Sequence, residues 1–246
     1  MSGPAPSVAR ILASGRFEAT TVLRNGEQLL VSVVLPLMAL VLLTYTSSPV
    51  LDSPRVDVVT PGVLALAVVS TAFTGQAIST GFDRRYGVLR LLGVSPLGRG
   101  GLLAGKAIAV LAVLSIQVVV LGIVALALGW RPVPVGLVPL VITLVLGAMC
   151  FVALALLLAG TLRAEAVLAL ANLLWVVFLG LGLLLPTSVL PGGLATAARW
   201  LPPGLLGDAA RTAALEGGWA LASWAVLLAW TVAAGLIARR TFRWSD

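Results

Sequence analysis

Apolar and polar positions alternate along this chain in long blocks. Six runs carry no acidic residue, and no basic residue beyond Lys106 at the edge of the third. They cover 29–46 (LLVSVVLPLMALVLLTYT), 59–82, about 106–129, about 135–160, about 166–185 and about 219–238. A helix needs roughly 20 mostly apolar residues to cross the hydrocarbon core, so each run predicts a transmembrane helix. Arg131 with Pro132 and Pro134 divides the third run from the fourth, and Arg163 with Glu165 divides the fourth from the fifth. The first run starts far from the N-terminus and no small-residue cleavage site follows it, so it is expected to stay as a span and not to be removed as a signal peptide.

Three segments fall outside these runs. Residues 7–24 place Val8, Ile11, Leu12, Gly15, Ala19, Val22 and Leu23 on one stripe, opposite Arg10, Thr20, Thr21 and Arg24. That pattern predicts an amphipathic helix lying along the membrane interface, after a loose tail at 1–6. Residues 83–105 (DRRYGVLRLLGVSPLGRGGLLAG) are too charged to cross. Val88, Leu89, Leu91 and Leu92 among Arg84, Arg85 and Arg90 suit a short helix half sunk in the interface and stopped by Ser95-Pro96. This stretch reads either as a basic loop anchored on anionic lipid or as a docking element for a cytoplasmic partner. Residues 186–218 are cut by Pro186, Pro191, Pro202, Pro203 and several glycines, which predicts two brief helices near 193–200 and 205–215 that pack on the spans or dip into the outer leaflet. Trp200 and Trp219 suit an interfacial aromatic belt.

Composition agrees with the pattern: of 246 residues, 60% are hydrophobic and 10% charged, where a soluble domain carries about 25% charged residues. The net charge is +7. With six spans both ends share one side, and twelve of the sixteen basic residues fall there, leaving Arg55, Arg131, Arg199 and Arg211 opposite. The positive-inside rule then places both termini in the cytoplasm. The outer residues Asp52, Asp57, Asp208 and Glu216 cancel the outer arginines, so the whole surplus is cytoplasmic. Anionic lipid accounts for it without a nucleic-acid partner.

The chemistry is narrow. With no histidine and one cysteine, Cys150, the chain lacks imidazole-based catalysis, histidine or thiolate metal sites and any intrachain disulfide. Gly100 to Lys106 follows the spacing of a phosphate loop, but Ala107 stands where a magnesium-binding hydroxyl is required and no strand precedes it. Lys106 is read instead as a snorkelling cap on the third span. No metal site and no catalytic residue is expected. Polar residues within the spans (Thr74, Gln76, Ser79 and Thr80 in the second, Ser115 and Gln117 in the third, Asn172 in the fifth) serve either as hydrogen-bond glue between helices or as a pathway lining. For the lining, Thr74, Gln76, Ser79, Gln117 and Asn172 are the candidates.

The order of parts resembles the membrane subunit of type-2 ATP-binding-cassette exporters, the drug, lipid and polysaccharide export permeases. Asp83 followed by Gly87, Leu89, Leu92, Ser95, Pro96, Arg99 and then Gly105-Lys106 is similar to that family's cytoplasmic motif. Leu201-Pro202 followed by Asp208, Ala210 and Arg211 is similar to its external one, and Tyr86 departs from the acidic residue that often precedes the glycine. The resemblance implies an all-α integral membrane protein in a single permease domain over 1–246. Its parts are six transmembrane helices, an interfacial N-terminal helix, a cytoplasmic coupling loop between helices 2 and 3 and a broken re-entrant segment between helices 5 and 6. It implies a non-enzymatic permease in the plasma membrane that exports a hydrophobic or amphiphilic compound, with ATP and magnesium held by a separate ATPase chain. A second permease copy or a related permease would complete the pathway. Asp83, Arg84, Arg85, Gly87, Arg90, Ser95 and Pro96 become the expected ATPase-docking residues. An ion-coupled secondary transporter and a non-transport scaffold or membrane enzyme are the alternatives.

Overall fold

A computed structural model describes residues 6–26, 30–48, 53–93 and 95–243. Most of the expected loose tail, the start of the first span at 29, Asp52 and Asp246 lie outside the described residues. Those described are overwhelmingly helical, with no strand among them.

Helix α1 (Ser7–Arg24) is followed by a π turn (Leu30–Val34) that runs into α2 (Leu35–Tyr45). The described apolar helix here, Ser32–Tyr45, is shorter than the others. Among the described residues, five helices are long and apolar enough to cross a membrane: Arg55–Arg85, Gly100–Ala127, Pro134–Thr161, Ala164–Leu183 and Leu221–Thr241. The first of these joins α3 (Arg55–Val68), a π stretch (Val69–Gly75) and α4 (Gln76–Arg85). Short α5 (Val88–Gly93) leads to α6 (Gly98–Ala127), then α7 (Leu137–Thr161) and α8 (Ala164–Phe178), which ends in a π turn (Leu179–Leu183). Helices α9 (Gly192–Ala198) and α10 (Pro202–Glu216) precede α11 (Leu221–Thr241).

The Arg55–Arg85 helix is the axis of the fold. Its most apolar stretch is 94% buried, against 22–44% for the other four. Lipid can cover the outer helices, but a central helix must be met on every side by protein, which favours small and mildly polar residues that admit close neighbours. The run STAFTGQAIST supplies them. Phe73 on this helix meets Phe151 of α7 and Phe178 of α8, with ring centroids 5.4–6.1 Å apart. Two indole groups in the core find hydroxyl partners on other helices, where no water competes. Trp175 Nε1 donates to Ser70 Oγ at 2.9 Å and Trp224 Nε1 to Thr143 Oγ1 at 2.8 Å.

Both ends of the expected 83–105 loop depart from the sequence reading, since the preceding helix runs on through Arg85. Helix α6 starts at Gly98, eight residues before the expected edge at Lys106, and carries that lysine inside the helix. The run is polar enough to look like loop, but its glycines are compatible with a helix that another helix must approach closely. A Cβ on Gly105 would stand 2.8 Å from Ser14 Oγ, and one on Gly15 would stand 2.9 Å from Ile108 Cγ2, so α1 and α6 cross at a glycine-to-glycine contact. Helix α1 buries Gly15 and Ala19 there and leaves Val8, Leu12 and Phe17 exposed.

Candidate functional site

The motif residues gather where α1, α4, α5 and the first turns of α6 meet, on the face that also holds the end of α11. Lys106 is its centre. Its Nζ lies 2.8 Å from Asp83 Oδ2 at the end of α4 and 2.9 Å from Glu18 Oε1 on α1. The lysine is 2% exposed, the carboxylates 22% and 31%. The snorkelling assignment is therefore corrected: the ammonium does not reach out to water but is enclosed by two carboxylates from separate elements. A buried cation needs such compensation, since leaving it unpaired costs several kcal/mol, about 3–5 when one partner of a buried pair is removed. The phosphate-loop spacing is accounted for as well. Gly100 to Lys106 is helical, its amides belong to the helix ladder and its lysine faces carboxylates.

The expected docking residues divide into two groups. Arg84 is 3% exposed and points inward, donating from Nη1 to the Ala159 carbonyl at 2.7 Å and from Nη2 to that of Leu162. These carbonyls close α7, where a guanidinium satisfies groups the helix leaves unpaired. Arg85 reaches the other side of the same turn and pairs with Glu165 in the first turn of α8. Gly87, at φ +74°, makes the reversal from α4 into α5, a conformation that glycine adopts without a Cβ penalty. Leu89 is buried and pins α5 down. Ser95 Oγ donates to the Leu92 carbonyl at 2.6 Å and accepts from the Leu97 amide at 3.3 Å, so Ser95-Pro96 forms the turn into α6. Arg10 of α1 donates to the Pro96 carbonyl. Left outside are Tyr86 and Leu91, both 71% exposed, with Val88, Arg90 and Pro96 beside them. This is a small apolar and basic surface carried on α5.

Under α1 lies a cavity of about 560 Å³ bounded by α1, α4, α5 and α6. Gln76 and Ser79 line it together with Thr71, Glu18 and Asp83. Two of the five pathway candidates thus share one wall. Gln76 Nε2 also donates to Thr80 Oγ1 at 2.9 Å. Thr74 is buried in the central helix, and its hydroxyl has no hydrogen-bond partner among the described residues. Gln117 accepts from Thr71 Oγ1 at 2.9 Å and donates to the Ser32 carbonyl at 3.0 Å, which makes it a tie between three helices. Asn172 is exposed on the outside of α8, bonded to the Leu168 carbonyl, away from the cavity.

On the opposite face Arg211 of α10 fills the broken end of α8. Leu181 and Gly182 leave helical geometry, with Gly182 at φ +82°, and expose carbonyls that Arg211 collects. Nη2 donates to Gly182 at 2.7 Å and Leu185 at 3.0 Å, and Nη1 to Leu183 at 3.3 Å and Leu184 at 3.4 Å. Asp208 lies 2.8 Å from Nη2 and also accepts from the amide and hydroxyl of Thr187. Burial lowers the Arg211 pKa from its ordinary value, and Asp208 opposes that shift. The external motif is therefore a latch that fastens α10 to the end of α8. Glu18, Lys106 and the Arg211–carbonyl cluster were not singled out by sequence reasoning as interacting groups. Lys106 and Arg211 stood out only as positions in motifs similar to the family's, and Glu18 only as a charge beside an apolar run.

Among known proteins, no curated sequence matches this chain. Residues 10–215 match the family described as ABC-2 type transporter. The match takes in the glycine contact, the Lys106 cluster, the α5 surface and the Arg211 latch. It extends over most of the chain, and the helices it covers are those of a multi-pass membrane protein. The chain belongs to the ABC-2 type transporter family and is a membrane permease of an ABC transporter.

Proposed function

We propose that the chain is the permease half of an exporter powered by a separate ATPase, which docks on the surface formed by α5 and the adjoining end of α1. The observation that carries this reading is the Lys106 cluster. It binds the helix before the docking surface (α4), the helix after it (α6) and the interfacial helix α1 into one unit. A displacement of α5 has no slack to dissipate in, because α4 also grips the α7–α8 turn through Arg84 and Arg85. Exposed Tyr86, Leu91 and Arg90 provide the contact, with apolar side chains at its centre and a basic rim that suits an acidic groove on the partner. ATP and magnesium are held by the partner, and two permeases enclose the pathway.

The cargo is a hydrophobic or amphiphilic compound, and the cavity beneath α1 is its point of entry. Largely apolar walls, with Gln76, Ser79, Arg10 and two carboxylates among the lining, suit a molecule with a long apolar part and a polar head. Both termini lie in the cytoplasm of a plasma-membrane protein, and the excess of basic residues on the side of the termini supports that orientation. Co-purification of the ATPase with Arg90→Glu and Leu91→Asp variants tests the docking surface. Loss of the ATPase from a correctly inserted permease is expected, and unchanged co-purification would overturn it. Substrate-stimulated ATP hydrolysis by the reconstituted pair, across a panel of amphiphiles, identifies the cargo.

A further inference from the structure

Helices α6 and α11 flank α7 and leave a sideways-opening groove of about 880 Å³ on the basic face. We propose that this groove is a binding site for an anionic phospholipid of the adjoining leaflet, one acyl chain lying in the groove and the phosphate resting on Arg239. The proposal rests on the chain being a membrane protein and not on the ATPase or the cargo.

Depth is the first argument. The groove follows α6 from Gly100 to Leu111 and α11 from Thr231 to Phe242. Eleven helical rises are about 16 Å, close to half of a hydrocarbon core of about 30 Å, so the groove is about one leaflet deep. Its walls are apolar, and the hydroxyl at its deep end, Thr231, is already committed to the Leu227 carbonyl at 2.8 Å. Such a space does not hold water.

The second argument is the missing side chains. Gly100 of α6, near the mouth, and Gly235 of α11, deeper in, both line the groove, and a Cβ on either meets no atom within 4 Å. Together with Ala107 and Ala148 they keep open a channel that ordinary side chains would fill. The rim residues Leu103, Leu111 and Met149 are themselves exposed.

Charge selects the occupant. Among the described residues, the charged side chain lining the groove is Arg239, exposed at the mouth, with Arg240 and Arg243 close by in the chain. A second copy of this chain seated symmetrically on the groove would bring like charges together. An anionic headgroup neutralises them, and the acyl chain supplies the apolar contacts.

The test is native mass spectrometry of the protein released from nanodiscs of phosphatidylcholine and phosphatidylglycerol. The parent chain should retain one phosphatidylglycerol. Gly235→Leu should lose that lipid, because the new side chain occupies the groove without striking protein. Gly100→Leu repeats the test from the other wall should the first variant insert poorly. Gly122→Leu, another α6 glycine with open space around it but outside the groove, should retain the lipid. Arg239→Gln should lower the preference for phosphatidylglycerol over phosphatidylcholine about fivefold, the weight of one basic residue at an anionic surface. Equal retention in Gly235→Leu and Gly122→Leu, or an unaltered preference in Arg239→Gln, overturns the proposal. So does a Gly235→Leu variant that changes oligomeric state while keeping its lipid, since the groove would then be a contact between copies. No ATPase enters the measurement, so its failure is distinct from failure of the transport reading.

Discussion

Lys106 and Asp83 stand 23 positions apart in the chain and 2.8 Å apart in the fold, and Glu18 closes on the same ammonium from α1. Replacing Lys106 by Met leaves two carboxylates facing each other across a small space. We expect a stability loss of about 2–3 kcal/mol, below the figure for a fully enclosed pair because both carboxylates keep some water. Thermal unfolding of the purified permease measures it. Adding Glu18→Gln and Asp83→Asn to Lys106→Met should recover a large part of the loss, and a triple variant no more stable than the single one would contradict the pairing.

The two neighbouring arginines should separate by phenotype from Arg90. Arg84→Gln frees the carbonyls of Ala159 and Leu162 and is expected to lower stability by about 2 kcal/mol, within the range for unsatisfied buried groups. Arg90→Glu should leave the unfolding temperature unchanged and reduce ATPase retention. Equal loss of stability in both variants would mean that α5 serves packing alone.

Removing the latch should loosen a defined segment. In Arg211→Met the carbonyls of residues 182–185 lose their donor, and hydrogen exchange should rise across 182–190 while the spans stay protected. Asp208→Asn keeps an acceptor for Thr187 and should produce a smaller change. Exchange that rises uniformly along the chain would show a global effect.

The crossing of α1 with α6 depends on two missing side chains. Gly105→Val places atoms where Ser14 now sits and should lift α1 from α6, seen as faster proteolysis at Arg10 and Arg16. Gly26→Val, where a Cβ meets nothing, should not change the digestion pattern.

Much of the helical layout could be read from hydropathy, because a stretch that must lie in lipid announces itself by composition over some twenty residues. The departures share one cause. Hydropathy treats a charge as the end of a span, whereas here Lys106 and Arg84 are drawn inside by partners that no local window contains. Glu18 is 88 residues from Lys106, and Ala159 is 75 from Arg84. The glycines before Lys106 likewise read as loop, since the helix that requires them lies near the N-terminus, far outside any local window. The polar residues of the spans were legible as a set but not by role. Gln117 and Asn172 look alike in sequence, yet one ties three helices together and the other faces outward, because a helix's rotation about its axis is set by its neighbours.

The central helix runs without a break from Arg55 to Arg85, thirty rises and about 45 Å from end to end. Near one tip it is clamped by Lys106 and by the α7–α8 turn, and near the other Asp57 accepts the amide of Arg131 at 2.9 Å. Held near both tips, it is built to pass a tilt from one face to the other, and the π stretch at Val69–Gly75 lies near its middle. A tilt of about 5° about that stretch, roughly 25 Å from the far tip, moves the tip by about 2 Å. The wider turn of the π stretch is where that stroke can be shortened or redirected, which makes the residues of 69–75 the place to alter how far the opposite face travels.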